Sequence, residues 1–494
     1  MAASILWYDL ETFGIDPRHD RIAQFACIRT DENLEEIDEP VKLYCKPSLD
    51  YLPSPAACKV HGITLQTAFE LGLNEYDLSL RLLDEFSRPG TTAAGYNSIN
   101  FDDEFIRFLF YRNLLDPYAR EYANGNSRWD IINLVRAARD LRPDGIVWPK
   151  DKDGTPLFKL EVLAKANGLI HASAHDALSD IRATISLARL VKTKQEKLYA
   201  WYFSHRKRES LKPLINLPAR RMLLHTSAEY TSARGCTTLV APVSIDPANR
   251  NQVIAIDLRF DPGELVSLSV EAIRQRVFAK AGERTEPRIP LSRILLNHCP
   301  FLAPSGTLSK EAGESLGLDK DLCGKRLDFI NDNPGLVQKL TAVFDEPMPP
   351  PATDDPDVCL YSGGFMPNAD REKLIKFHMM LAVKRNTPDG LKAAKSSLLK
   401  MKFIDDRIPR LAHRLFARNF PETLGDSERL KWRDFCAGRI QLPAREGTVE
   451  LADYARLVET ELADPELSAP KRAIIHALLE WKKHIEEEVL SWGG

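Results

Sequence analysis

The first 195 residues predict an α/β fold, and the rest of the chain predicts a smaller β-rich region followed by a helical one. Three observations carry this reading. Strand-like runs alternate with helix-periodic runs through residue 195, β-branched stretches mark 196–344, and almost everything from 358 to Gly494 repeats with helical period. At 494 residues the chain is too long for one hydrophobic core, so about two to four domains are expected.

In the first region, "ILWYDLE", "IAQFACIRT", "VKLYCK" and "TTAAGYN" read as strands, while "DDEFIRFLFYRNLL", "RWDIINLVRAARDL" and "HDALSDIRATISLARLV" read as helices. Between 196 and 344, "CTTLVAPVSI" and "NQVIAIDLRF" read as strands and "ELVSLSVEAIRQRVFAKA" as an inserted helix. The stretch 345–357, "DEPMPPPATDDPD", holds five prolines and neither period, which predicts a stiff linker. Beyond it, "LADYARLVETELA" and "KRAIIHALLEWKKHIEEEVL" are amphipathic helices of the 358–494 region.

Composition narrows the function classes. Hydrophobic residues at 44% and charged residues at 28% are those of an ordinary soluble protein, and a net charge of −3 creates no global field for a polyanion. Any basic surface must be local. The eight cysteines are scattered without a CxxC pair and read as small buried hydrophobes in a reducing compartment. No basic leader precedes an apolar stretch, and no window reaches the roughly 18 apolar residues of a membrane helix. A cytoplasmic protein with no membrane association is expected.

The chemistry begins at "YDLETFG". Strand side chains alternate, so Asp9 and Glu11 project from one face a few ångströms apart, and two like charges held that close call for a cation between them. "YNSINFDDE" places Asp102 where a loop becomes a helix. "AHDALSD" places His175 just outside another helix, Asp176 at its N-cap and Asp180 on its first turns. Four carboxylates and one imidazole form the inventory for two Mg²⁺ ions and a general base near neutral pKa. Taken singly, each acid reads more simply as solvated or as a helix cap. His171 and His175 form HxxxH, but no accompanying glutamate or cysteine supports zinc.

The ordered set resembles the three motifs of the DEDD exonuclease superfamily in its histidine-bearing branch, and is identified more narrowly with the bacterial exodeoxyribonuclease I family. The resemblance runs along most of the chain, through "YDLETFG", "QFACIRTD", "YCKP", "GYN", "FDDE", "FYRN", "DPYA", "NSRWD", "LRPDGI", "KANGL", "AHDALSD", "LVKTKQ", "NHCP", "LYSGGF" and "ARNFPETL". It implies an RNase H-like exonuclease domain with a mixed central sheet over 1–195, an SH3-like domain over 196–344 and a helical domain over 358–494. Together these would enclose a groove in one monomer. The implied activity is processive 3′-to-5′ digestion of single-stranded DNA to 5′-mononucleotides, in repair and recombination. Two Mg²⁺ ions serve as cofactors, with Mn²⁺ as a substitute. By motif position, Asp9, Glu11, Asp102 and Asp180 are the implied metal ligands, with Glu11 and His175 catalytic and His175 as the base. Thr12 is implied to touch the terminal nucleotide. Lys159 stands where the family usually has arginine, giving a point charge in place of a planar fork. Arg142 falls at a family contact for the acidic C-terminal tail of single-stranded-DNA-binding protein.

A single strand needs cations for phosphates and rings for bases. Arg107, Tyr118, Tyr122 and Arg136 match family contacts of this kind. Arg128 and Trp129 interleave the same types without matching a family contact, and for all six the competing reading is that the rings pack the core and the arginines cover its rim. A second basic stretch, 371–418, has thirteen Lys or Arg against four acids and is a candidate phosphate track or a solvated helix face. Its part 385–402 departs in length from the family. Two alternatives compete with the exodeoxyribonuclease: an RNA-trimming enzyme of the same superfamily, and a catalytically silent DNA-binding scaffold.

Overall fold

The computed structural model describes residues 3–169, 176–279, 282, 286–345, 353–441 and 450–490. Its first sheet has strands β1 (Ser4–Thr12), β2 (Ile22–Thr30), β3 (Val41–Tyr44), β4 (Thr91–Gly95) and β5 (Ser127–Asp130), in the order β3-β2-β1-β4-β5. β2 runs antiparallel to β1 and β3, whereas β4 and β5 run parallel to β1, so the sheet is mixed, as expected. Alternation assigns its two faces. Ile5, Trp7, Ala26 and Ile28 pack with Ala177, Ile181 and Ile185 of the Ala177–Lys194 helix, while Leu6, Tyr8, Leu10 and Phe25 pack against Leu78, Leu82, Phe105 and Leu109 on the other side.

One element of the first sheet departs from its sequence reading. "RWD" has no helical turn: Ser127–Asp130 is a fully buried strand, and the helix begins at Ile132 and ends at Leu141. Three of its four residues are polar and are buried only because they find partners, Ser127 on Thr92, Arg128 on Asp103 and Asp130 on the Asn97 and Ile99 amides, so the sequence shows no strand pattern there.

The second sheet contains β6 (Leu223–Thr226), β7 (Thr237–Ile245), β8 (Gln252–Asp257), β9 (Leu291–Leu295) and β10 (Phe301–Pro304), all antiparallel in the order β10-β6-β7-β8-β9. The inserted helix is shorter than its apolar pattern suggests. Ser269 caps Val270–Phe278 by accepting from the Ala272 amide, and Pro262–Val266 before it forms only a 3₁₀ turn. A single apolar core joins the two sheets through Trp7, Trp129, Tyr202, Ile256 and Phe301.

The last region is helical, with Asn368–Lys384, Pro388–Lys400, Arg407–Asn419, Asp426–Gln441, Leu451–Leu462 and Ala469–Ile485 as its main helices. It packs back on the first region at two places: Tyr454 and Trp481 share a core with Phe13, Tyr51 and Leu65, and Phe377, Phe416 and Phe420 share one with Tyr76, Phe108 and Tyr111. Of the proposed linker, 346–352 lies outside the described residues. Its end is no spacer. Asp357 is fully buried and meets Arg414 at 3.0 Å, Arg439 at 2.9 Å and Arg418, while Asp50 of the first region meets Arg418 at 2.8 Å and Arg439 at 2.6 Å.

The cysteines are largely buried, as their scattered placement suggests. All eight are free, seven of them buried and Cys359 half-buried. Among the described residues no helix is long and apolar enough to cross a membrane.

Candidate metal centre and nucleic-acid interface

The end of β1, the start of the Asp102–Arg112 helix and the start of the Ala177–Lys194 helix converge on a cleft of about 220 Å³, lined by Asp9, Leu10, Glu11, Tyr96, Asn97, Phe101, Asp102 and Asp180. Carboxylate oxygens of Asp9, Glu11 and Asp180 lie within 4.8 Å of one another. Asp102 joins them through β1 itself: its Oδ1 accepts the Leu10 amide at 2.9 Å, which fixes the carboxylate beside the strand that carries Asp9 and Glu11.

Electrostatics set this cluster apart. Burial, and then the charges of Asp102, Glu11 and Asp180, raise Asp9 well above the carboxylate range. Glu11 is pushed up to about 8 by burial and by Asp180, Asp102 and Asp176, against which Lys42 acts. Asp102 also rises to about 8, chiefly by burial, with Asp103 and Asp130 adding to it while the amides of Asp102 and Leu10 oppose it. Acids that repel one another in a cleft gain by binding a cation, and an all-oxygen donor set suits a hard divalent ion. The residues present therefore fit a divalent metal centre.

Behind Asp102 lies a layer that sequence reasoning missed. Asp103 is fully buried and accepts from Tyr8 Oη at 2.6 Å, Arg120 at 2.6 Å and Arg128 at 2.8 Å. Those arginines hold Asp103 far below the usual range despite its burial. Asp103 thus stays an anion beside Asp102 and ties the helix start to β1. The doubled acid in "FDDE" was the available signal, since only one member can face the cleft. Asp130, at the end of β5, accepts from the amides of Asn97 at 2.8 Å, Ile99 at 3.2 Å and Ile132 at 3.0 Å and so shapes the loop leading to Asp102.

The Exonuclease family model matches residues 6–188, the Exonuclease I SH3-like domain 206–346 and the Exonuclease I C-terminal domain 354–485. Exodeoxyribonuclease I of Escherichia coli strain K12 is 40% identical over 484 residues, spanning 98% of both chains. The chain belongs to the exonuclease I family. Exonuclease I from Methylocaldum szegediense superposes with a TM-score of 0.91 at 43% identity, over 98% of this chain and all of that one. A zinc-bound complex of E. coli exonuclease I with single-stranded DNA gives 0.89 at 38%, and an SSB/exonuclease I structure with the inhibitor CFAM gives 0.87 at 38%, each covering 98% of this chain and 100% of the other. This exonuclease I family member is thus a nuclease, with an exonuclease domain, an SH3-like domain and a C-terminal domain.

The remaining candidate residues of this exonuclease I family member are placed unevenly. His175 and His171 lie outside the described residues. Asp176 takes the N-cap position of its helix without a side-chain cap bond, its carboxylate being paired with Lys42. Thr12 is buried and its hydroxyl donates to the Gly14 carbonyl at 2.6 Å. Lys159 is exposed, just before the Leu160–Ala166 helix. Tyr122 is also exposed, and Tyr118 is half-buried with the Arg107 guanidinium over its ring at 5.4 Å. Arg107 itself is buried and engaged by Glu104 at 2.5 Å, Glu121 at 2.7 Å and Tyr361 Oη at 3.1 Å. Arg136 donates to Asn133 at 2.9 Å and lies over Phe158. Arg142 donates to the carbonyls of Leu141 and Thr307, bridging the first two regions. Trp129 is a core ring 5.8 Å from Trp7, and Arg128 is paired with Asp103.

The basic 371–418 stretch is divided. Arg407, Arg414, Arg418 and Lys395 are ion-paired inside the protein with Asp405, Asp355, Asp357 and Glu428. Lys376, Lys384, Lys392, Lys400, Lys402 and Arg410 remain exposed.

Proposed function

We propose that this chain is a 3′-to-5′ exodeoxyribonuclease that degrades single-stranded DNA processively to 5′-mononucleotides in the cytoplasm, as a monomer, during DNA repair and recombination. The observation that carries the reading is the convergence of Asp9, Glu11 and Asp180 within 4.8 Å, with Asp102 beside them. These four acids would hold two Mg²⁺ ions, with Mn²⁺ as a substitute. When bound, such ions make water acidic enough to attack at neutral pH and neutralise charge on the phosphate and the departing oxygen.

The chain's own groups do the rest. Asp102 is kept in place by the Leu10 amide, and Asp103 by Tyr8 and two arginines, so the acids need little reorganisation when a DNA end arrives. His175 accepts the proton of the attacking water. Thr12 and Lys159 contact the terminal nucleotide and its phosphate, while Tyr118, Tyr122 and Arg136, with Arg107 behind Tyr118, line the path of the strand. Arg142 meets the acidic C-terminal tail of single-stranded-DNA-binding protein.

The deciding experiment follows product release from 3′-labelled single-stranded DNA with Mg²⁺, beside a 3′-phosphorylated strand, the equivalent RNA and the Asp9→Ala variant. Mononucleotides from DNA alone, reduced by roughly 10³-fold or more in the variant, are expected. Equal loss of RNA would favour the RNA-trimming reading, and tight DNA binding without product would favour the scaffold.

A further inference from the structure

Directly opposed residues of antiparallel strands share a face, and here register aligns Asp9 with Ala26 and Ala26 with Lys42, while Glu11 aligns with Gln24 and Gln24 with Tyr44. Lys42 therefore stands on the face that carries the acid cluster, in the row of Asp9 and two strands away, roughly 10 Å across the sheet. The intervening Ala26 leaves that row low. From the sheet edge, the Lys42 ammonium reaches Asp176 at the start of the Ala177–Lys194 helix and forms an ion pair with it.

This contact lies at an exposed juncture. Asp176 occupies the N-cap position but caps no amide with its side chain, and the first turn closes through its carbonyl, which accepts from Ser179 at 2.7 Å and Asp180 at 3.0 Å. The far end of the same helix is fastened to the 32–34 loop: Lys192 donates to the Glu32 carbonyl at 2.8 Å and Arg189 donates to that of Leu34. Lys42 supplies the corresponding fastening at the end that bears Asp180.

We propose that Lys42 is a positioning residue of the nuclease site: by pairing with Asp176 it fixes the first turn of the Ala177–Lys194 helix, and with it the placement of Asp180 against Asp9 and Glu11. The proposal rests on the reading of those acids as the nuclease centre. Lys42 touches no reacting atom in this role. Its charge is nonetheless felt within the cluster, where it opposes the rise of Glu11 that burial and the neighbouring acids cause.

The test uses the full chain with Lys42→Met, which keeps the aliphatic stem, and Lys42→Arg, which restores a cation. Amide hydrogen exchange is followed at 178–181 in the DNA-free protein, and kcat and KM are measured on a single-stranded oligonucleotide over a range of salt. Lys42→Met should lower protection at 178–181 by about fivefold or more and reduce kcat by about tenfold, with KM unchanged and Lys42→Arg recovering both. Unchanged exchange, or faster exchange with unchanged kcat, overturns the proposal. So does a raised KM with a shallower salt dependence, which would make Lys42 a phosphate contact. Should Lys42→Met fail to fold, Asp176→Asn removes the same pair from the other side and is read identically. An inactive wild-type chain would instead reject the nuclease reading, and the exchange measurement separates the two failures.

Discussion

Two clusters of buried acids in this chain have opposite surroundings. Asp50, Asp355 and Asp357 sit among Arg21, Arg414, Arg418 and Arg439, and their carboxyls are held below the ordinary range even though burial works against them. Asp9, Glu11 and Asp102 have mainly other acids as charged neighbours, and burial with repulsion from those acids raises all three. The first cluster carries its own cations and joins the helical region to the first sheet. The second gains by taking a cation from solution. Buried acid alone therefore marks nothing; the partner it is given separates a joint from a metal site.

The contrast is broken most severely by removing one member of the joint. Asp357→Ala leaves Arg414, Arg418 and Arg439 one buried carboxylate short, with only Asp355 and Asp50 left to meet three cations, and a loss of about 3 kcal/mol or more in chemical denaturation is expected. Below the unfolding midpoint its first cleavage of DNA should proceed at the wild-type rate, because none of Asp9, Glu11, Asp102 and Asp180 is paired with an arginine of the joint. Asp9→Asn should do the reverse, keeping or raising metal-free stability while eliminating cleavage.

A pH series sharpens the comparison with a smaller effect. Glu11 rises from 4.5 to about 8, so its contribution to stability is intact below about 4.5 and is lost as pH climbs towards 8. Asp102, raised from 3.8 to about 8, behaves likewise. Asp50 and Asp357 have lowered values, so their contribution is present above about 3.8 and disappears as pH falls. Calorimetry in EDTA should thus show destabilisation at both ends. Added Mg²⁺ should raise Tm by several degrees at pH 8 and hardly at all at pH 5, since binding is linked to the ionised acids. An equal Mg²⁺ effect at both pH values would detach the metal from this cluster.

The smallest effect tests the layer behind Asp102. Tyr8→Phe removes one of three donors to Asp103, and a stability loss of about 0.5–1.5 kcal/mol is expected. Two arginines still hold Asp103, so cleavage should fall only slightly. A collapse of activity would show that Tyr8 orients Asp102 more directly than these contacts imply.

Much of the acid cluster was legible in the sequence. Asp9 and Glu11 share a strand face because alternation is a local rule, and Asp102 and Asp180 fall at helix starts because helical period and capping types mark them. The strand at Ser127–Asp130 was not legible, since three of its four residues are polar and only partners distant in sequence, Thr92, Asp103 and the Asn97 amide, allow them to be buried. Nor was the full occupation of Arg107: Glu104 lies one helical turn before it, but only the fold brings Glu121 and Tyr361 around it.

The sequence by itself determined the three-region order, the strand that carries the paired acids and the helix starts that complete them, because these depend on periods a few residues long. Only the tertiary structure decided which charges are paired. Asp50 and Arg418 are 368 residues apart, Lys42 and Asp176 are 134 apart, and Asp355–Asp357 read as the end of a linker until three arginines from two helices closed on it. Desolvation and Coulomb energy depend on distance through space, and the local pattern of a chain does not encode that distance.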